Sequence, residues 1–301
     1  MAAGLAGGLA LAGALPAVSA AAALPPQGLY EDCAPATDAS ACTQHLQAVG
    51  QAGFQVVLNY QAWSASALQV LDYASTARSL GLKVIWPLDA AVWRDGGGRL
   101  AAAHPALGAS CGCSDDESFL SYAISLVKDL PATWGYYIGD EVPADQLPQI
   151  QALAAKLKAL DPDHPQLYIA DGTSVNPAAN LAPFGDVADV VGSDVYPVGW
   201  PVPPAEVVGG VAFADQQIAA SHQRRTAVAL QALSWSQDAG ASTATDPRWP
   251  TEQEMQAMRD AALTNADPAL LLWFSYPDIA ASDDPAAHWR DLVSAAFAPG
   301  P

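Results

Sequence analysis

The chain has 301 residues, 51% hydrophobic and 14% charged, with 24 prolines and 23 glycines; that is enough for one large core, and α/β barrels of this length fold as one domain. Twelve basic residues against 31 acidic ones give a formal charge of −19. That balance excludes nucleic acid and anionic membrane surfaces as partners and disfavours a polyanionic substrate, without naming what is bound.

The first stretch, MAAGLAGGLALAGALPAVSAAAALPP, is an apolar run with small residues at Val18, Ser19 and Ala20. It reads as a secretory leader over residues 1–23, which leaves 24–301 as the mature domain in a secreted or periplasmic protein. No Lys or Arg precedes the run, which departs from the usual leader pattern. Pro16 and the glycines speak against a membrane span.

Eight short runs rich in Val, Ile, Tyr and Trp follow in chain order: QGLYEDC from Gln27, FQVVLNY from Phe54, KVIWPLD from Lys83, WGYYIGDE from Trp134, QLYIADG from Gln166, DVVGSDVYP from Asp189, TAVALQALSW from Thr226 and ALLLWFSYPD from Ala269. Helical patterns such as SALQVLDYASTARSLG and ADQLPQIQALAAKLKAL lie between them. Thr251 with Glu254 forms a capping box ahead of another. Strands alternating with helices predict parallel βα units, and eight of them predict a single (β/α)8 TIM barrel.

Four cysteines, Cys33, Cys42, Cys111 and Cys113, are an even set that suits disulfides in an exported chain. Cys33 with Cys42 is the preferred short loop. Cys111 and Cys113 close on each other or cross to the first pair. Without paired CxxC spacing or clustered histidines, no metal is expected. GASCG at Gly108–Gly112 matches the nucleophile-elbow pattern but lacks the preceding strand that the elbow demands. No glycine-rich nucleotide loop follows a strand, so no cofactor is expected.

The strand ends carry the functional signal. Seven of the eight runs finish in polar or acidic residues: Glu31/Asp32, Asn59/Tyr60, Asp89, Asp140/Glu141, Asp171, Asp194/Tyr196 and Tyr276/Asp278. The remaining one carries Gln231 and closes on Ser234-Trp235. In a barrel these ends share the face where active sites are built, although Asp and Asn also cap the helices that follow. Glu141 is the leading candidate acid, because a glutamate among tyrosines is poorly solvated and its pKa rises. Strict alternation puts Tyr137, Gly139 and Glu141 on one face of the strand, with Tyr136, Ile138 and Asp140 on the other.

IGDEVP ending the fourth strand and SDVYP ending the sixth resemble the (β/α)8 glycoside hydrolases. In the retaining superfamily of that fold an Asn-Glu ends strand four, and the Glu is the acid/base. Asp140-Glu141-Val142-Pro143 is similar, with Asp in place of Asn. Tyr196 matches a tyrosine typical of strand six, and Trp273 and Tyr276 match an aromatic platform on strand eight. The resemblance covers nearly the whole mature chain through short motifs, and it implies a glycoside hydrolase acting on a neutral poly- or oligosaccharide, as a monomer.

One departure matters. That superfamily places its nucleophile as a Glu on strand seven, where this chain has Gln231, which cannot form a glycosyl ester. Asp194 is the preferred partner for Glu141, with Asp278 and Asp171 as substitutes. IGDEV also resembles the Gly-Asp-Glu-Val of β-hexosaminidases, where Asp140 would orient a substrate acetamido group beside the acid. The aromatics Tyr60, Trp63, Trp86, Trp200, Trp235, Trp273 and Tyr276 are expected to stack on sugar rings, while Asn59, Asp89, Tyr137, Asp171 and Gln231 bind hydroxyls. Two other classes stay open: a noncatalytic carbohydrate-binding barrel, and a barrel lyase or transglycosidase using the same carboxylates.

Overall fold

Branched and aromatic side chains pack well on a pleated surface, and each of the eight runs forms a strand. These are β1 Gln27–Glu31, β2 Val56–Asn59, β3 Lys83–Pro87, β4 Thr133–Asp140, β5 Gln166–Asp171, β6 Val190–Val195, β7 Arg225–Gln231 and β8 Pro268–Phe274. They pair in chain order, all parallel, and β8 pairs back onto β1, closing the barrel. The computed structural model describes residues 24–88, 100–174, 176–237 and 244–300. The leader and Asp89 lie outside the described residues.

Helices cover the outside: α1 Ala39–Gln51, α2 Ala67–Ser79, α3 Leu100–Ala103, α4 Pro105–Cys111, α5 Asp116–Val127, α6 Leu147–Leu160, α7 Pro177–Leu181, α8 Pro204–Ser221, α9 Glu252–Asn265, α10 Tyr276–Ala280 and α11 Pro285–Phe297. Their starts follow capping chemistry. Asp38 accepts from the Ala41 amide at α1, and the Thr251–Glu254 box opens α9 as expected. At the far end, the fully buried Arg259 of α9 donates to the carbonyls of Ala295, Ala296, Ala298 and Pro299. It thereby satisfies the carbonyls that the end of α11 leaves unpaired and locks the last helix against the barrel.

The core has two layers. Inside the barrel sit Tyr30, Leu58, Ile85, Tyr137, Ile169 and Leu272; between strands and helices sit Trp63, Trp86, Phe119, Phe184 and Trp273. Trp63 and Trp86 stack with centroids 4.9 Å apart. Cutting such a ring to Ala costs about 3–5 kcal/mol.

Two disulfides are formed, Cys33–Cys42 and Cys111–Cys113. The first ties the loop after β1 to α1. The GASCG stretch runs through α4, where the Ser110 hydroxyl donates to the Ala106 carbonyl, so it is a helix turn and not an elbow. Among the described residues no helix is long and apolar enough to cross a membrane.

Candidate active site

The site begins with an irregularity in β4. Tyr137 pairs with Leu167 of β5, yet Gly139 pairs with Tyr168, so β4 carries one extra residue there. Such a bulge breaks side-chain alternation. Tyr137 belongs to the inner layer and Ile138 to the outer one. Gly139 also faces outward, where a Cβ would lie 2.9 Å from Ile150 and Tyr168. Asp140 then returns to the inside. The expected sharing of one face by Tyr137, Gly139 and Glu141 is therefore corrected: Gly139 admits α6 and Tyr168 against the strand.

Beyond the bulge, Glu141 keeps its amide on the Ile169 carbonyl at 2.9 Å but adopts a left-handed backbone, φ 49°. For a side-chain-bearing residue that conformation costs about 1–2 kcal/mol, and such strain clusters at functional sites. Bulge and turn together bring both neighbouring carboxylates to one cavity of about 750 Å³ at the C-terminal end of the strands.

Asp194 meets them from β6. It is almost fully buried, accepts from the Gly172 amide at 3.3 Å and is hydrogen-bonded to Glu141. Gly172 is required there, since a Cβ would stand 2.1 Å from the Asp194 carbonyl. Asp171, beside Asp194 in the β5–β6 register, completes the group, and oxygens of Glu141, Asp171 and Asp194 all lie within 4.8 Å of one another. Their geometry is also one that could hold a metal ion.

The electrostatics follow from burial and crowding of like charge. Glu141 is exposed to the cavity, yet the surrounding protein displaces enough water that its pKa is pushed up to about 7 by desolvation first, then by the charges of Asp140 and Asp171; the hydrogen bond with Asp194 opposes this. Asp194 is raised well above the usual carboxylate range by burial, then by Glu141 and Asp140. The two carboxyls lie close enough to titrate as a unit. Asp140 is also raised by burial, but phenol donors restrain it: Tyr137 at 2.6 Å and Tyr60 at 2.9 Å.

An aromatic arc faces the acids. Tyr60 and Phe274 flank Tyr30 at 5.6 and 5.1 Å, Phe274 meets Tyr196 at 5.5 Å, and Trp235 stands edge-on to Tyr196. Trp235 is held by its indole N–H donating to the Tyr196 carbonyl.

Of the residues expected from sequence, Glu141, Asp194, Asp140, Tyr60, Asp171, Tyr196, Trp235 and Asp278 line the cavity. Tyr137 lies beneath it as the donor to Asp140. Asn59 does not reach it; its amide donates to the Cys33 carbonyl and accepts from Gln61, which fixes the loop after β1. Gln231 is likewise consumed, accepting from the Val198 amide and donating to the Leu233 carbonyl. Trp86 and Trp273 are buried in the outer layer, donating to Thr133 and Gln27, and are not rim platforms. Trp63 is buried with them, its indole N–H on the Pro87 carbonyl. Tyr276 packs on His45 and Trp289 away from the cavity.

Sequence reading missed Tyr30 and Phe274, and it noted Glu31 and Asp32 without assigning them to the site. On β8 the platform is Phe274, one residue beyond Trp273. The signal was available in the parity of β1 and β8, where Tyr30 and Leu272 share the inner layer.

No family model matches the chain. No curated protein matches it either. Solved structures do. A putative α-L-fucosidase from Bacteroides thetaiotaomicron VPI-5482 superposes with a TM-score of 0.62 at 12% identity, over 96% of this chain and 99% of that one. The hyperthermostable endo-1,4-β-D-mannanase of Thermotoga petrophila RKU-1 gives 0.58 at 12%, over 84% and 88%. A GH18 chitinase from Pseudoalteromonas aurantia gives 0.53 at 10%, over 90% and 99%. At such identities the likeness establishes the shared barrel fold, and the chemistry rests on the site itself.

Proposed function

We propose that the protein is an exported glycoside hydrolase in which Glu141 is the general acid and Asp194 the partner carboxylate. The observation that carries this is the pair of carboxyls, Glu141 and Asp194, with oxygens within 4.8 Å of one another in an open, aromatic-walled cavity, and with Glu141 pushed up to about 7. An acid with that value still holds its proton near neutrality and can release it to a leaving group. The barrel neighbours described as a mannanase and a chitinase support the reading that this fold hosts such chemistry. Two disulfides suit an oxidising compartment.

The close spacing supports a retaining course, which uses carboxyl groups about 5 Å apart. A sugar entering between the two acids takes over their shared hydrogen bond. Glu141 gives its proton to the glycosidic oxygen as the C1–O bond breaks, while the Asp194 carboxylate bonds to C1. Glu141, now ionised, takes a proton from water; the resulting hydroxyl attacks C1 and releases Asp194. The partner thus comes from β6, where the resembled superfamily uses β7, and Gln231 is left to structure.

A second reading is favoured by one observation: Asp140 is clamped by two tyrosines directly beside the acid. That arrangement suits a substrate whose own acetamido group attacks C1 while Asp140 orients it.

Aryl glycosides and polysaccharides, tested with the wild type and with Glu141→Gln, decide the assignment. Cleavage with retained anomeric configuration by NMR is expected, falling about 10²–10⁴-fold in the variant. Undiminished activity in Glu141→Gln overturns the assignment, and glycan binding without cleavage by either protein makes the barrel a binding module.

A further inference from the structure

The four carboxyls that converge from β4, β5 and β6 have only neutral donors. Asp140 is served by two phenols, and Asp194 by the Gly172 amide. Asp171 accepts from the Thr173 amide and hydroxyl and from the Asn180 amide. Among the described residues no Lys, Arg or His lines the cavity. With no cation among the described lining residues, these carboxylates favour a positively charged group in the cavity. An ionised carboxylate accepts at about four positions, so Asp140 and Asp171 both keep acceptor capacity toward the cavity.

The facing wall adds an independent constraint. Tyr60 directs its hydroxyl to Asp140 and Trp235 its indole N–H to the Tyr196 backbone. Their polar ends are committed, so what they offer a ligand is ring face, which suits the apolar side of a pyranose and a nearby cation alike.

Resting on the glycosidase reading, we infer that the cavity selects glycans bearing free amino groups, an ammonium of the bound sugar lying against the carboxyls of Asp140 and Asp171 that line it. A uronate or sulfated sugar meets like charge. A neutral or N-acetylated sugar fits the ring wall but leaves the carboxylates unbalanced.

The test compares kcat/KM for tetrasaccharides of glucosamine and galactosamine, in both anomeric linkages, with their N-acetylated forms and with neutral hexose counterparts. EDTA is present throughout. Free-amino substrates are expected to be favoured by about 10-fold or more, and raising NaCl from roughly 0.02 to 0.5 M should erode that advantage selectively. Asp171→Asn should shrink the ratio of kcat/KM for free-amino over N-acetylated substrates about 10-fold, whatever it does to turnover common to both. Equal or better cleavage of N-acetylated or neutral substrates overturns the inference and leaves the glycosidase standing. Activity lost in EDTA and restored by Ca²⁺ or Mn²⁺ also overturns it, because a metal then balances the charge. Calorimetric binding of the amino tetrasaccharides to Glu141→Gln separates the two readings: binding without wild-type cleavage retires the hydrolase and keeps the ligand class, whereas neither binding nor cleavage retires both.

Discussion

Glu31 and Glu141 lie at corresponding places, each at the C-terminal end of a strand lining the same cavity, three strands apart. Their surroundings are opposite. Glu31 is fully buried and accepts from the amides of Asp32 and Cys33 and from His45 at 3.0 Å, with Cys42 of the same helix bridged to Cys33. Glu141 has a strained backbone and acids for neighbours. Strand-end position therefore does not make a catalytic acid; the donors around it decide whether a carboxylate is anchored or poised.

The sharpest way to break this comparison is to make the same substitution at both places. Glu141→Gln should cost about 10²–10⁴-fold in turnover, while relief of charge crowding leaves stability equal or higher. Glu31→Gln should cost about 1–3 kcal/mol, because a donor-bearing amide replaces an acceptor serving three donors. Its effect on turnover should be far smaller than that of Glu141→Gln. Denaturant midpoints and kcat/KM check both, and a stability loss at Glu141 with none at Glu31 would reverse the roles.

Next in size is the dependence of stability on pH. Glu141 rises from 4.5 to about 7 on folding, so the folded state holds a proton that the unfolded chain has lost. Its contribution is complete below about 4.5 and disappears as pH climbs through about 7. His45, raised above 6.5 chiefly by its hydrogen bond to Glu31, has the same sign: its contribution is present below 6.5 and is lost as pH passes the folded value. Asp215, pushed to about 8 by burial behind β6, adds to the trend. Glu254, lowered to about 2 by Arg248, acts only in the acid range. His104, which burial lowers to about 4, opposes the trend up to about pH 6.5. The melting temperature should therefore fall most clearly from about pH 6.5 to 8. Glu141→Gln should flatten the lower half of that fall and Glu31→Gln the upper half. A melting temperature that rises across the range contradicts both assignments.

The contrast also shows what the sequence made legible. Alternating apolar runs and helices were enough for the barrel, because each strand is short, apolar and punctuated. The acidic strand ends pointed to the right face, and Asp140, Glu141 and Asp194 do meet there. Whether each residue faced the cavity was not legible. A one-residue slip in parity turns a side chain to the opposite face, which separates Trp273 from Phe274, and the β4 bulge reverses the expected facing of Gly139 and Asp140. Nor does sequence show which polar strand-end residues are consumed by backbone groups, as Asn59 and Gln231 are.

The smallest expected effect tests why Asp140 is clamped. Burial raises this carboxyl, and the two phenols hold it back by favouring its ionised form. An ionised Asp140 is in turn one of the charges that lift Glu141. Tyr60→Phe removes one donor, leaving Tyr137 to hold the other oxygen. Asp140 then protonates more readily, its charge on Glu141 weakens, and the acid gives up its proton at lower pH. The alkaline limb of the kcat/KM profile should shift to lower pH, with only about a 3–10-fold loss at the optimum, since one hydrogen bond contributes a net of about 0.5–1.5 kcal/mol. An unshifted limb with the same loss of rate would make Tyr60 a sugar contact alone and leave the tuning of Glu141 to burial and Asp171.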